Sequence, residues 1–262
     1  MKIVIFTSNA IRHKFVANSI CETVDDCLVI VESKPHDSIE FESNANPTLI
    51  QSHFYERYKT ESKFFKGNDF FRGKTIPIIY REGNLSYIKD VIQKFQPDAI
   101  IIFGSSILKN DTINLVPSGK IINMHLGLSP YYRGSGTNFW PFVNDELEYV
   151  GATILHIDPG VDTGDIITHV QPNFEVDDNV HTIGCKVIKK GTKSLIQILG
   201  SLKKGNKLIR VKQWKISNEK YYRMKDFDEE SLKRYKKNLE DKIVEKYLNS
   251  SKTKIDLITT TF

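Results

Sequence analysis

Short unbroken apolar runs recur along the first half of the chain, at 3–6, 28–31, 76–79, 99–103 and 120–123. Segments of helical length lie between them, at 12–23, 85–95 and 106–115. Continuous apolar strands that alternate with helices predict a sheet buried on both faces, hence a doubly wound, mostly parallel α/β fold. Such sheets take ligands beyond the carboxyl ends of their strands. Three ends carry polar residues: Thr7-Ser8-Asn9, Phe103-Gly104-Ser105, and the stretch from Asn123 to His125. If the last strand continues through His125, its period of two places Asn123 and His125 on one face.

The second half reads less regularly. Residues 51–65 suggest an aromatic-rich helix packed on the sheet, and 137–142 a short helix capped by Thr137 or Asn138, with Pro141 in its first turn. Strands are expected at 150–157 and 166–171, with a tight loop between them. Val180, Ile183, Val187, Ile188, Leu195, Ile198 and Leu199 form a helical stripe over 179–202, weakened at Gly191. A strand over 208–216, a charged helix from Asp226 or Asp228 to about 249, and a short strand or loose tail over 254–262 complete the chain. A boundary near 203 separates a main domain, 1–203, from a small appendage, 204–262. The appendage must pack on that domain or on a second subunit, because it has little core of its own. Leu232, Tyr235, Leu239, Ile243 and Tyr247 make a narrow apolar stripe on the charged helix, which points to a homodimer.

Composition narrows the class. Of 262 residues, 40% are hydrophobic and 26% charged, ordinary for a globular chain. The net charge of +5 comes largely from lysines after 185 and reads as a solvated surface. The chain opens on a strand instead of a signal peptide, and no apolar run is long enough to span a membrane, so a cytoplasmic protein is expected. Cys21, Cys27 and Cys185 show no pair spacing and no cluster with histidine, which favours free thiols in a reducing compartment and no metal. The first turn lacks a dinucleotide fingerprint. It offers Ser8, Asn9 and Arg12 at a helix start, where they would hold an anion or simply cap the helix.

The polar stretch from Asp158 to Asp165 supplies the missing chemistry. Acyl transfer to an amine needs a donor for the developing oxyanion, a group that titrates near neutrality, and a carboxylate that orients it. Asn123, His125 and Asp162 are of those three types. No seryl or cysteinyl nucleophile stands in a recognisable elbow. Taken alone, a histidine at a strand end and an aspartate in a Gly-flanked turn also fit structural roles.

The run Asn123-Met124-His125-Leu126-Gly127-Leu128-Ser129-Pro130, then Tyr132-Arg133-Gly134, Trp140, and Val161-Asp162-Thr163-Gly164-Asp165-Ile166-Ile167 resembles the formyltransferase family. That family includes glycinamide ribonucleotide transformylase, methionyl-tRNA formyltransferase and the sugar N-formyltransferases. The resemblance implies a Rossmann-like catalytic domain, Asn123, His125 and Asp162 as catalytic residues, and 10-formyltetrahydrofolate as formyl donor. It further implies a pterin cleft walled by Phe103, Gly104 and Ser105 and by Asp158, Gly160 and Val161.

The acceptor is argued separately. The first turn departs from the Gly/Ser-rich phosphate grip of the glycinamide ribonucleotide enzymes. Residues 204–262 leave too little room for the tRNA-binding barrel of the methionyl-tRNA enzymes. Similarity in size to the sugar N-formyltransferases points to a nucleotide-linked amino sugar, with no nucleic acid and no membrane as partners. Tyr222 and Arg223 suit stacking and phosphate contact, and surface packing equally. Two alternatives stand: another amine acceptor, such as initiator tRNA or a small amine, and a silent binding protein that keeps the fold. His156 and His169 read as core or supporting residues, Trp140 as a core anchor, and His13, His36, His53 and His181 suggest no metal.

Overall fold

The computed structural model describes residues 1–33, 47–117, 119–157, 162–217, 219–251 and 253–262. The five predicted strands form: β1 (Lys2–Ser8), β2 (Asp26–Ser33), β3 (Lys74–Ile79), β4 (Ala99–Phe103) and β5 (Ile121–Leu126). They are followed by β6 (Tyr132–Gly134), β7 (Ala152–His156) and β8 (Ile166–Val170). One seven-stranded sheet has the order β3-β2-β1-β4-β5-β7-β8. Its first five strands are parallel, whereas β7 and β8 run antiparallel to their neighbours.

The helices are α1 (Ile11–Cys21), α2 (Leu49–Phe64), α3 (Ser86–Phe95), α4 (Asn110–Ile113), α5 (Trp140–Asn144) and α6 (Val180–Lys203). Alternate strand residues serve opposite faces, as a period of two requires. Ile3, Ile5, Ile101 and Met124 join Val16 of α1 and Leu195 of α6 in one core. Val4, Phe6, Ile100 and Ile102 join Ile88 and Ile92 of α3 in the other. Gly191 is the price of a close crossing: a Cβ there would lie 2.6 Å from the Met124 sulfur, so α6 reaches β5 only because the side chain is missing. Its helical neighbours are otherwise strong, and Asn179 caps the helix by accepting from the backbone N–H groups of His181 and Thr182.

Several expectations change. The helix over 106–115 shrinks to α4. The side chain of Asn84 donates to the Ile107 carbonyl and accepts from the Lys109 N–H, and so holds the preceding residues out of helical register. Phe139, and neither Thr137 nor Asn138, stands at the α5 N-cap, because the Asn138 amide oxygen accepts from the Gly151 N–H instead. Residues 208–216 make a single bridge, Val211 to Ile166, in place of a strand. The charged helix begins at the Asp228 cap but breaks into α7 (Glu229–Glu240) and α8 (Ile243–Asn249), with Lys242 left-handed at φ 57. Cys21 and Cys27 form a disulfide, Cα atoms 5.3 Å apart, because the turn after α1 folds the start of β2 back beside the helix end. Cys185 alone is free, and it is buried. Cysteine usage therefore no longer argues for a reducing compartment.

Residues after 203 lie back on the sheet domain. A short strand, β9 (Lys220–Tyr222), pairs in parallel with β6. The tail binds the sheet edge, with the His169 N–H donating to the Ile258 carbonyl and the Thr260 hydroxyl to the Ile167 carbonyl. Leu232, Tyr235 and Ile243 are buried in the chain's own core, beside Phe142 and Val143 of α5. The stripe read as a dimer surface is thus largely spent within one molecule. No described helix is long and apolar enough to cross a membrane.

Two half-buried histidines meet where α2 lies against α6, with the rings of His53 and His181 4.5 Å apart. Burial, then the charges of His181, Arg57 and Lys236, lowers His53 to about 3. Burial and Arg57 lower His181 to about 4, and burial lowers His169 to about 4. In the unfolded chain all three take up protons near their ordinary value of 6.5. The stability they contribute as neutral groups is therefore complete above that value and drains away as pH falls through the window below it. Each group supplies a slope of up to about 1.4 kcal/mol per pH unit inside its window. Melting temperature should be nearly flat from about pH 8 to 7 and fall steeply between about 6 and 4. A flat profile across that range would contradict the burial of neutral rings.

Candidate functional site

Asn123 and His125 are alternate residues of β5, on the face opposite Met124. Ile102 pairs with Asn123 across the β4–β5 ladder, so the turn that leaves β4 at Phe103 runs beside both polar side chains. The loop between β7 and β8 returns over the same face and delivers Asp162. The three groups meet. Asn123 Nδ2 donates to Asp162 Oδ1 at 3.4 Å, and His125 Nδ1 lies 3.3 Å from Asp162 Oδ2. The His125 Nε2 faces the Tyr132 carbonyl at 3.4 Å. Both rings of contact are nearly closed to solvent, since the His125 and Asp162 side chains are 8% and 14% exposed.

Asp162 sits at φ 53, in the left-handed region that aspartate tolerates better than most residues. The cost, on the order of 1 kcal/mol, is borne by fastenings on either side. The side-chain amide of Gln213 donates to the Asp162 carbonyl at 2.7 Å and to the Gly164 carbonyl at 2.9 Å. Gln213 belongs to the stretch expected as a strand, and nothing in the apolar pattern singled it out.

The bend after β5 is fastened as tightly. The Thr153 hydroxyl accepts from the Ser129 N–H at 2.8 Å and donates to the Gly127 carbonyl at 2.6 Å. His169 Nδ1 accepts from the Ile258 N–H at 2.9 Å, so Nε2 carries the proton and donates to the Ser129 carbonyl at 2.8 Å. Ser129-Pro130 is a cis peptide. Tyr132 is anchored by its hydroxyl, which donates to Glu146 and accepts from Asn144 Nδ2 at 2.9 Å. Burial raises its pKa well above the usual phenol value, against the opposing Asn144 hydrogen bond, and the neighbouring Glu146 carboxylate adds to the rise. Thr153 and His169 thus support the site: His169 reads from the sequence as a core or supporting residue, whereas Thr153, a strand residue facing inward, gives no sequence signal of that role.

The other expected site residues fare unevenly. Phe103 is buried in the core, while Gly104 and Ser105 form the turn beyond β4. Asp158, Gly160 and Val161 lie outside the described residues. The Ser8 hydroxyl is buried and donates to the Glu32 carbonyl, so it faces no ligand. Ala10, with no side-chain bond, takes the N-cap of α1, which leaves Asn9 exposed and not capping. Arg12 is committed to Glu61, with contacts of 3.0 and 2.8 Å to the two carboxylate oxygens. Tyr222 stacks on Trp140 at 4.0 Å and 8°, with Tyr132 in parallel beyond it, so its ring is spent inside the chain. Arg223 is exposed, its guanidinium 5.9 Å from the Tyr221 ring. Ser8, Arg12 and Tyr222 are therefore structural as placed. No group of three or more potential metal ligands occurs among the described residues.

Comparison with known proteins decides the family. The sequence profile of the Formyl transferase family matches residues 1–199. The chain belongs to the formyl transferase family. A methionyl-tRNA formyltransferase of Desulforamulus reducens is 34% identical over 116 residues, which is 44% of this chain and 36% of that protein. The chain thus matches well under half the length of this curated relative. Among solved structures, a 4-N formyltransferase from Francisella tularensis superposes with a TM-score of 0.56 at 19% identity, covering 86% of this chain and 77% of that one. An N-formyltransferase from Helicobacter canadensis, solved with folinic acid and dTDP-3-aminofucose, gives 0.57 at 18%, covering 87% and 73%. These likenesses establish a shared fold.

Proposed function

We propose that this formyl transferase moves a formyl group from 10-formyltetrahydrofolate to the amine of a nucleotide-linked amino sugar. One observation carries the reading: Asn123, His125 and Asp162 converge within 3.4 Å beside the turn after β4, in a member of this family. The donor fits the residues present. A flat pterin needs apolar contact and main-chain hydrogen bonds, and the turn offers an exposed Ile107 side chain, 70% accessible, beside the backbone of Gly104 and Ser105. When bound, the folate supplies the activated formyl group.

The chain's own residues do the rest. Asn123 Nδ2 and a His125 N–H donate to the formyl oxygen as it gains negative charge. Asp162 holds the imidazole through Nδ1 and stabilises it when it is charged. The proton that the attacking amine loses passes to this pair, either directly or through one water, and from it to the folate nitrogen as that atom's bond to the formyl carbon breaks. Residues 1–203 hold the reacting groups in this reading, and 204–262 brace them through Gln213 and Ile258. The spent apolar stripe gives a dimer no support, so none is included.

The nucleotide-sugar acceptor is favoured by the fold shared with proteins solved with such ligands, dTDP-3-aminofucose in one and a UDP-linked formamido sugar in another. A second reading, methionyl-tRNA, is favoured by the sequence relatives. The experiment offers the donor with a panel of nucleotide-linked amino sugars and, separately, with charged initiator tRNA, at two salt concentrations. Formylation of a sugar with a shallow salt dependence is expected. Efficient formylation of tRNA, with a steep loss at high salt and no sugar product, would replace this acceptor with the second reading.

A further inference from the structure

Glu32 is a buried carboxylate that the catalytic scheme does not use. It lies at the carboxyl end of β2, is 2% exposed, and pairs with no cationic side chain among the described residues. Three donors converge on it instead. The Arg81 N–H donates to Oε1 at 2.7 Å and the Ser106 N–H to Oε2 at 2.8 Å, and the Ser106 hydroxyl also donates to Oε1. Arg81 stands at φ 72, in the turn that follows β3. Ser106 follows Gly104 and Ser105 in the turn that leaves β4. One carboxylate therefore ties together two turns at the ligand-bearing end of the sheet. The same end is sewn again by the Thr7 hydroxyl, which donates to the Phe103 carbonyl at 2.8 Å.

We propose that Glu32 is a positioning residue for the folate donor: it fixes the turn Gly104-Ser105-Ser106 in the conformation that receives the pterin. This rests on the donor reading above. A carboxylate suits the place better than an amide. It presents two acceptor oxygens to three donors, whereas a glutamine amide presents one acceptor and turns an N–H against the remaining donors. A burial this complete without a counter-ion is costly unless the carboxylate oxygens find donors, and here two backbone N–H groups and a hydroxyl reach both of them. Position-specific tethering of a ligand turn, more than fold stability, is what such an arrangement supplies. The contacts join two loops and no core elements.

The test compares Glu32→Gln and Ser106→Ala with the wild type by titration with folinic acid and by steady-state kinetics with the donor and the amine acceptor varied in turn. Glu32→Gln should raise the folinic acid Kd and the donor KM by about tenfold or more. Its kcat and the acceptor KM should stay within about threefold of wild type, and its pH profile should be unchanged, since His125 and Asp162 are untouched. Ser106→Ala, which keeps the backbone N–H and loses one donor, should give a smaller shift in the same direction and serves if Glu32→Gln fails to fold. Equal folinic acid affinity in wild type and in whichever variants fold would overturn the inference. A parallel loss in kcat and in both KM values would overturn it too, as general loosening. A wild type that binds no folinic acid would instead defeat the donor reading on which it rests.

Discussion

Replacing His125 with alanine is expected to lower kcat by about a hundred- to ten-thousand-fold, the usual worth of a positioned acid–base group. The donor KM should stay close to that of the wild type, because the imidazole faces Asp162 and the Tyr132 carbonyl and neither belongs to the turn after β4. Asp162→Asn keeps the size of the side chain and removes its charge, and should cost nearly as much, since the ring loses the carboxylate that orients it. Fold stability should change little by comparison. The buried His125 ring makes polar contacts and belongs to neither apolar core, so melting temperatures should lie within a few degrees of wild type. The check is single-turnover kinetics with saturating donor and acceptor beside a thermal melt. Retention of more than about a third of the wild-type rate would remove His125 from the catalytic scheme, since true proton-transfer groups cost far more.

The second large effect is expected at Gly164. A Cβ there would lie 1.8 Å from the His156 carbonyl oxygen and 2.8 Å from its carbon. Both atoms belong to the end of β7, whose His156 N–H is already bonded to the Asp165 carbonyl. No flexible side chain is available to give way, so Gly164→Ala must push the loop off the strand. Two residues earlier stands Asp162, and the Gln213 amide clasps the carbonyls of both residues. A shift of about 1 Å in the carboxylate is enough to cost about a hundredfold in rate. The expected result is a loss of kcat comparable to that of Asp162→Asn, together with a lowered melting temperature, whereas the folinic acid affinity falls less. Near-normal activity in Gly164→Ala would mean that the loop has another working position and that the clasp by Gln213 is dispensable.

The apolar pattern carried the sheet. Short runs rich in isoleucine and valine suit the strands of a covered sheet, and five of them became β1 to β5, although β3, at the sheet edge, stays largely exposed. The stripe over 179–202 became α6 because its spacing commits one face to that sheet. The period of two along β5 likewise set Asn123 and His125 side by side before any neighbour was known. Order and residue type along 123–165 were enough to indicate the family, and with it the partner carboxylate.

Tertiary packing decided what local pattern leaves free. Arg12 is a plausible anion ligand until α2 brings Glu61 to it, and Tyr222 a plausible stacking platform until Trp140 covers its face. The stripe on α7 and α8 has the same spacing whether it meets a second subunit or its own chain, and here Leu232, Tyr235 and Ile243 are buried in the chain's own core. Cys21 and Cys27 carry no signal until a turn folds them together. Thr153, His169 and Gln213 brace the bend and the loop that carry Asn123, His125 and Asp162 through contacts made 24 to 89 residues away with backbone atoms. A backbone partner leaves no mark in the sequence, because every residue has the same N–H and C=O to offer. Side-chain identity could therefore single out Asn123, His125 and Asp162, while most of the groups that hold them in place became visible only where the chain comes back to meet itself.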